Sequence, residues 1–177
     1  MSRLTKFITT AALLTAIAII IPLVVPLIQI SPLLTFTLAV HVPIFIACFI
    51  SPRMATAVAI GSTFGFALTK PLIVTARVAT HIVFAVLAAL YFKKHGISKN
   101  KWHLSIVAIV IGIIHALSEA VVMHIFFFQH EANPIFSIYL VLGAWMLLYS
   151  CVDFALALSI YKLLLNHRLI NWLSENS

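Results

Sequence analysis

Two pairs of ionisable residues lie inside apolar stretches of the sequence, where such side chains are rare. Arg77 and His81 lie in one stretch, and His115 and Glu119 lie in a later one. Each pair is four residues apart, so in a helix its two side chains share one face. A guanidinium, a carboxylate and two imidazoles together can bind a small polar ligand. Because ionisable residues at membrane depth usually face a cavity, a partner or a ligand, we interpret these four as the lining of a polar pocket.

The composition is that of an integral membrane protein. Of the 177 residues, 63% are hydrophobic and 8% are charged, which excludes an ordinary water-soluble domain. A membrane span needs roughly 20 apolar residues, so the length accommodates about six helices and no separate soluble domain. We predict an all-α integral membrane protein of the plasma membrane, with one domain over residues 1–177 that forms a compact bundle of six transmembrane helices.

The basic residues predict the orientation of this bundle. Apolar stretches run at about 4–28, 38–50, 54–68, 72–92, 104–128 and 135–165. If both termini are inside, the outer loops hold only Lys70, and the inner side receives Arg3, Lys6, Arg53, Lys93, Lys94, Lys99, Lys101, Lys162 and Arg168. This asymmetry predicts cytoplasmic N and C termini. The net charge of +7 is therefore explained by the orientation in the membrane, and we expect no nucleic-acid partner. The basic start precedes an apolar run without a clear cleavage site, so we expect a retained first helix.

The two pairs are predicted to meet at a common depth. With a rise of 1.5 Å per residue, Arg77 lies about 9 Å and His81 about 15 Å below the outer start of the fourth helix. Glu119 lies about 14 Å and His115 about 20 Å below the outer end of the fifth helix. The pocket is therefore expected in the outer half of the membrane.

Aromatic residues of the sixth stretch descend through the same zone. Tyr139, Trp145 and Tyr149 could stack against a planar ligand, and we include Trp145 and Tyr149 in the predicted site. The alternative is an ion pair between Arg77 and Glu119 that only locks two helices together. The sequence leaves open whether these two side chains face a ligand or each other.

Two further polar residues, His41 and Asp153, are assigned no ligand. His41, near the outer end of the second stretch, is expected to be interfacial or locally hydrogen-bonded. Asp153 lies deep toward the inner side with no basic partner nearby in sequence, and it is expected to make a polar contact between helices.

Three of the predicted pocket residues are also of the types that bind metal ions. His81, His115 and Glu119 offer imidazole and carboxylate ligands, but they lack the His-Glu-x-x-His pattern of metalloproteases, and the positive charge of Arg77 disfavours a divalent cation. We expect no resident metal and no cofactor. The chain also lacks the glycine-rich phosphate loop of ATP-hydrolysing proteins, so we expect no ATP hydrolysis by that route. We also predict no catalytic residues and no enzyme activity.

Small residues mark two surfaces for close helix packing. Ala12 and Ala16 form an Ala-x-x-x-Ala strip in the first stretch, and Ala57, Gly61 and Gly65 repeat at the same interval in the third. Such strips let helix backbones approach closely in lipid. From spacing alone, packing of Ala12 and Ala16 inside the bundle is favoured over contact with another subunit.

The chain resembles the substrate-binding S components of energy-coupling factor (ECF) transporters, which import vitamins in prokaryotes. The resemblance rests on the size, the six helices, the Ala12/Ala16 strip, and the run from His41-Val42-Pro43 through Ser51-Pro52-Arg53 to the Gly61/Gly65 stretch. The plan covers the whole chain, and residues 11 to 66 carry the motifs. His41-Val42-Pro43-Ile44-Phe45 and the run from Arg77 to His81 are most similar to niacin-type members.

The resemblance implies a function and partners. Ala12 and Ala16 would dock on the membrane scaffold subunit, which couples to two ATPase subunits that use ATP. A vitamin, niacin as the best guess, would bind from outside beneath the loop at 29–37, and the S component would topple to release it inward. Arg77 would then bind a carboxylate, His81 or Glu119 a ring nitrogen, and Trp145 or Tyr149 would stack. Pantothenate and pyridoxine remain open.

Two other functions remain open from the residues alone. One is an autonomous, proton-coupled secondary transporter in which Glu119 and the histidines carry protons. The other is a small metal-dependent membrane enzyme that uses His81, His115 and Glu119.

Overall fold

The computed structural model describes residues 2–30, 34–128, 133–167 and 170. Its helices are α1 Arg3–Val24, α2 Val42–Ile50, α3 Pro52–Ala67, α4 Leu72–Ala79, α5 His81–His95, α6 Lys101–Phe127, a π-helix Ile135–Leu142 and α7 Gly143–Asn166. Only Thr80 separates α4 from α5, and the π-helix continues directly into α7. The described residues thus form six helical segments. Four of them, Arg3–Val24, Leu72–His95, Lys101–Phe126 and Ile135–Asn166, are long and apolar enough to cross a membrane, which confirms a helical membrane protein.

Some predicted features fall where no structure is described. Residues 31–33 of the predicted outer loop and the basic residue Arg168 lie outside the described residues. The cytoplasmic placement of the termini remains a prediction from the charge asymmetry.

Helices α1 and α3 touch through glycine. A methyl group on Gly65 would lie 2.8 Å from the Cα atom of Ile19, and one on Gly61 would collide with the Thr15 side chain. Since α1 carries these neighbours, the glycines of α3 confirm the predicted close packing. The third member of that repeat, Ala57, is exposed, so the close approach is carried by the two glycines.

Proline and serine set the boundaries of α2 and α3. The predicted second stretch, 38–50, is helical only from Val42, and Pro43 lies in the first turn of α2. A proline in the first turn removes no intrahelical hydrogen bond, because the N–H groups of that turn have no partner within the helix. Ser51 caps α3, where its Oγ accepts a hydrogen bond of 3.2 Å from the backbone N–H of Met54, and Pro52 opens that helix. These caps fix the tight turn between the two helices.

A small hairpin occupies the loop between α1 and α2. Strand β1, Ile28–Gln29, pairs antiparallel with β2, Thr35–Phe36. Thr35 is buried, whereas Ile28 and Gln29 are exposed. The hairpin was not predicted, because each strand is only two residues long and is too short for an alternating pattern to be read.

The fourth helical segment is interrupted at Thr80, between the two predicted site residues. Thr80 donates hydrogen bonds to the carbonyl of Arg77 from its N–H, at 3.0 Å, and from its Oγ1, at 2.6 Å. The i to i+3 bond tightens the last turn of α4 before α5 begins at His81. Arg77 and His81, on either side of this interruption, are both buried inside the bundle.

An aromatic core closes the bundle on the side toward Ile50. Phe45, Phe49, Phe84, Phe92 and Phe154 pack with neighbouring ring centroids 5.0–5.6 Å apart. Edge and tilted contacts of this kind add stability beyond the burial of apolar area. The polar residues described below lie directly against this core.

Candidate functional site

Arg77 and Glu119 form a buried ion pair between α4 and α6. Arg77 Nε and Nη2 donate to the same carboxylate oxygen, Glu119 Oε2, at 2.9 and 2.7 Å. The residues are 5% and 3% exposed. Two charge-assisted hydrogen bonds in a dry environment compensate much of the desolvation of both charges. The helices therefore bring together the two opposite charges that the sequence placed at one depth, and in this structure they face each other.

The remaining edge of the guanidinium faces the interhelical loop. Arg77 Nη1 donates to Thr35 Oγ1 at 2.7 Å. Arg77 Nη2 lies 3.5 Å from the Thr35 carbonyl oxygen and 3.6 Å from Met146 Sδ. Thr35 belongs to β2. The loop thus contacts the buried charge directly, through a neutral hydroxyl in the place where a second anion could bind.

The two predicted histidines converge on the other oxygen of the same carboxylate. Glu119 Oε1 lies 3.1 Å from His81 Nε2 and 3.2 Å from His115 Nε2. Both imidazoles are 1% or less exposed. Glu119 therefore joins α4, α5 and α6, with the arginine on one oxygen and the histidines on the other.

His41 and Asp153 also belong to this cluster, and sequence reasoning had assigned them no ligand. Asp153 Oδ2 lies 2.8 Å from His41 Nδ1 and accepts a 3.3 Å hydrogen bond from the His41 backbone N–H. His41 Nε2 in turn lies 3.4 Å from His81 Nε2. The predicted role of Asp153 as a polar contact between helices is confirmed. One signal could have placed it here, since Asp153 follows Tyr149 by one helical turn on the same face of α7.

The predicted aromatic residues occupy two places. Tyr149 packs its ring 4.7 Å from that of His41, and its hydroxyl donates to the carbonyl of Thr37 in the loop. Trp145 instead packs against Phe36, with ring centroids 5.3 Å apart. Tyr149 therefore lies within the cluster, whereas Trp145 supports the loop from outside it.

A small cavity lies between the loop and this cluster. It has a volume of about 30 Å³, which is room for roughly two water molecules. Its walls include loop residues 35–37, Tyr149 and three members of the cluster, Arg77, His81 and Glu119. His41 also lines it, whereas His115 and Trp145 are not among its lining residues in the described part of the chain.

Ala12 and Ala16 lie on the face of α1 that points away from the rest of the bundle. Both are exposed, and the buried residues of this helix are Leu14, Ala18 and Pro22. The interpretation that Ala12 and Ala16 pack inside the bundle is therefore wrong. Their strip is available to another subunit or to lipid.

Fold and site together define a multi-pass helical protein of the plasma membrane that holds a buried polar cluster beneath a loop. The chain is 34% identical over 160 residues to the niacin transporter NiaX of Lactococcus lactis subsp. cremoris, a match that covers 87% of this chain and 72% of that transporter. The chain belongs to that transporter's family, the predicted family of ECF-type S components. Neither a family model nor a solved structure matches the chain.

Proposed function

We propose that the protein is the high-affinity substrate-binding component of an ECF importer, and that it captures nicotinate from outside the cell. The observation that carries this proposal is the buried guanidinium of Arg77, whose one edge not bound to Glu119 faces the loop. A pyridine carboxylate offers an anion for that edge and a flat ring for Tyr149. Similarity to a niacin transporter over most of the chain supports the same substrate.

The carboxylate of the vitamin would replace the hydroxyl of Thr35 on Arg77. Arginine binds carboxylates through two parallel hydrogen bonds, which are stronger than a bond to a neutral hydroxyl. The ring nitrogen would then lie toward His81 and Glu119, and the ring of Tyr149 would stack on the pyridine. This assignment uses the residues that line the cavity, with Trp145 holding Phe36 of the loop in place.

Binding requires the loop to move. A cavity of about 30 Å³ admits water molecules but no aromatic acid. Two hydrogen-bonding contacts among those that hold the loop over it run from Arg77 to Thr35 and from Tyr149 to Thr37. Outward movement of the loop would break both contacts and open a path to Arg77, and its return would enclose the vitamin.

Transport itself would need partner subunits. The exposed Ala12/Ala16 strip is suited to close contact with a helix of a membrane scaffold subunit, and two ATPases attached to that scaffold would supply the energy. Docked in this way, the protein would topple in the membrane and release the vitamin inward. The chain itself would need no cofactor for this task.

A second candidate function is proton-coupled transport without partners. It is favoured by one observation, the chain of contacts from Asp153 through His41 and His81 to Glu119, with steps of 2.8, 3.4 and 3.1 Å. Imidazoles and carboxylates joined in this way can pass protons. Purified protein reconstituted alone in vesicles separates the two functions. Sustained nicotinate uptake driven by a pH gradient would favour the second, and binding without uptake would favour the first.

Calorimetry with a vitamin panel tests the substrate. Purified protein is titrated with nicotinate, nicotinamide, pantothenate and pyridoxine. We expect nicotinate to bind tightly, and nicotinamide to bind more weakly because its neutral amide cannot pair with Arg77. No heat from nicotinate, together with tight binding of another vitamin, would reject the niacin assignment.

A further inference from the structure

Three imidazoles from separate helical segments face one another in the middle of the bundle. The ring centroids of His41, His81 and His115 lie 4.5, 4.6 and 4.9 Å apart. One ring nitrogen from each residue lies within 4.8 Å of the other two, and all three residues are buried. Neutral imidazoles in such a triangle have few acceptors for their N–H groups, because Glu119 Oε1 already lies near two of them.

Three of the six distances among the imidazole Nε2 atoms and Glu119 Oε1 are close to those between the ligands of a four-coordinate metal. Nitrogen ligands lie about 2.0–2.1 Å from zinc, so two ligands at a tetrahedral angle are about 3.4 Å apart. His41 Nε2 and His81 Nε2 are 3.4 Å apart, and Glu119 Oε1 is 3.1 and 3.2 Å from the Nε2 atoms of His81 and His115.

The charge of the cluster favours a cation. The charged residues buried in the described ranges, histidines aside, are Arg77, Glu119 and Asp153. One arginine against two carboxylates leaves one negative charge inside the membrane, if the imidazoles are neutral. An uncompensated buried charge is strongly unfavourable. One divalent cation would change this net charge from −1 to +1, and one proton on the histidine cluster would bring it to zero, which makes these the two outcomes to be separated.

We propose that His41, His81 and His115, with Glu119 Oε1 as the fourth ligand, bind one transition-metal ion of the zinc, cobalt or nickel class. Imidazole nitrogens with one carboxylate suit these ions. Asp153 supplies the expected outer contact, since a carboxylate that accepts from the Nδ1–H of His41 fixes that ring with Nε2 toward the metal. The proposal does not depend on which vitamin the protein binds.

This site departs from the expectation of no metal drawn from the sequence. That expectation rested on the missing His-Glu-x-x-His pattern and on the repulsion of a divalent cation by Arg77. In the folded chain Arg77 is bound to Glu119 Oε2, whereas the histidines face Oε1. His41 and Asp153, which add a third imidazole and a second carboxylate, were not counted. Because His41, His81 and Glu119 also line the cavity, the ion would lie at the wall of the substrate site.

Cobalt provides the test. Full-length protein purified in detergent is stripped with a chelator and titrated with Co²⁺ alone, and the visible absorption of four-coordinate cobalt is recorded together with metal content after gel filtration. We expect one ion per chain and displacement of cobalt by Zn²⁺. Substitution of a ligand, His41→Gln or His115→Gln, should weaken binding by more than about 100-fold, and Asp153→Asn by about 10- to 100-fold.

The control is the exposed His103, which bonds to the hydroxyl of Tyr91. His103→Gln should leave cobalt binding unchanged. Binding that survives in His41→Gln and His115→Gln but disappears in His103→Gln would assign the ion to the surface and overturn the proposal. The wild-type chain alone can also overturn it, because no stoichiometric cobalt or zinc after stripping and reloading would leave a proton as the compensating charge. Should the histidine variants fail to fold, an unchanged cobalt affinity in Asp153→Asn would count against the site.

Discussion

Arg77 donates two of its hydrogen bonds to a single oxygen of Glu119, at 2.9 and 2.7 Å. This geometry differs from the side-by-side pairing in which an arginine occupies both oxygens of a carboxylate. Glu119 Oε1 therefore contacts the two histidines, and Arg77 Nη1 donates to Thr35. The ion pair therefore neutralises two buried charges while keeping one edge of each group available to other partners. An ion pair that joins two helices can thus also belong to a ligand site.

The variant Arg77→Lys tests whether Arg77 binds the substrate. Lysine keeps the positive charge beside Glu119 but cannot present two parallel donors to a carboxylate. We expect nicotinate affinity to fall by about 10- to 100-fold, the loss typical of a hydrogen bond to a charged group. Isothermal titration calorimetry measures this affinity. The exposed Arg53 provides the matched control, and Arg53→Lys should bind nicotinate as the wild-type protein does.

Thermal unfolding of Arg77→Lys and of a second variant, Arg77→Ala, separates binding from stability. Arg77→Ala leaves Glu119 buried without its cation and should destabilise the fold by about 3–5 kcal/mol, while Arg77→Lys should lose much less. If Arg77→Lys kept full nicotinate affinity, Arg77 would be a charge that only joins two helices.

A pair of glycine substitutions tests the contact between α1 and α3. In Gly65→Ala the new methyl group would lie 2.8 Å from the Ile19 backbone, so the helices must separate, at a cost of about 1–3 kcal/mol. Gly143 is helical as well, but a methyl group there meets nothing within 4 Å. Gly143→Ala should therefore be neutral or stabilise the protein by up to about 1 kcal/mol. Thermal unfolding in detergent compares the two, and equal midpoints would contradict the close contact.

The parts of the fold that the sequence predicted are those set by local patterns. Apolar length identifies the helical segments, and i,i+4 spacing together with rise per residue places Arg77, His81, His115 and Glu119 at one depth. These quantities depend only on helix geometry. Helix geometry also explains the successful prediction for Gly61 and Gly65, because small residues on one face let another backbone approach.

The features that the sequence did not predict depend on contacts between segments that are far apart in the chain. Asp153 and His41 are 112 residues apart, and no local pattern links a carboxylate in α7 with the start of α2. Burial of Ala12 and Ala16 was favoured because spacing alone does not tell which face of α1 meets the bundle; Gly61 and Gly65 select the face with Thr15 and Ile19 instead. The break at Thr80 also escaped, since a single residue that tightens one turn leaves the apolar pattern unchanged.

The variant Tyr149→Phe tests the attachment of the loop. The hydroxyl of Tyr149 donates to the Thr37 carbonyl, and its loss removes one hydrogen bond between the loop and the buried cluster while keeping the ring. A net hydrogen bond contributes about 0.5–1.5 kcal/mol, so nicotinate should dissociate about 2- to 10-fold faster. Stopped-flow displacement measures this rate. Tyr139→Phe is the matched control, because its hydroxyl bonds to His124 away from the cavity, and a similar acceleration there would contradict a specific role for the loop contact.

Substitutions on the exposed face of α1 test docking on the scaffold subunit. Ala12→Trp or Ala16→Trp adds a large ring to a strip that faces away from the bundle, so nicotinate binding should be preserved while a partner helix is kept at a distance. We expect co-purification with the scaffold and ATPase subunits, and nicotinate uptake by cells, to fall at least about 10-fold. Ala144, exposed on α7, is the control, since α1 packs on α2 and α3, and Ala144→Trp should assemble normally. Normal complexes with Ala12→Trp and Ala16→Trp would assign the strip to lipid contact, and loss of binding in these variants would instead indicate damage to the fold.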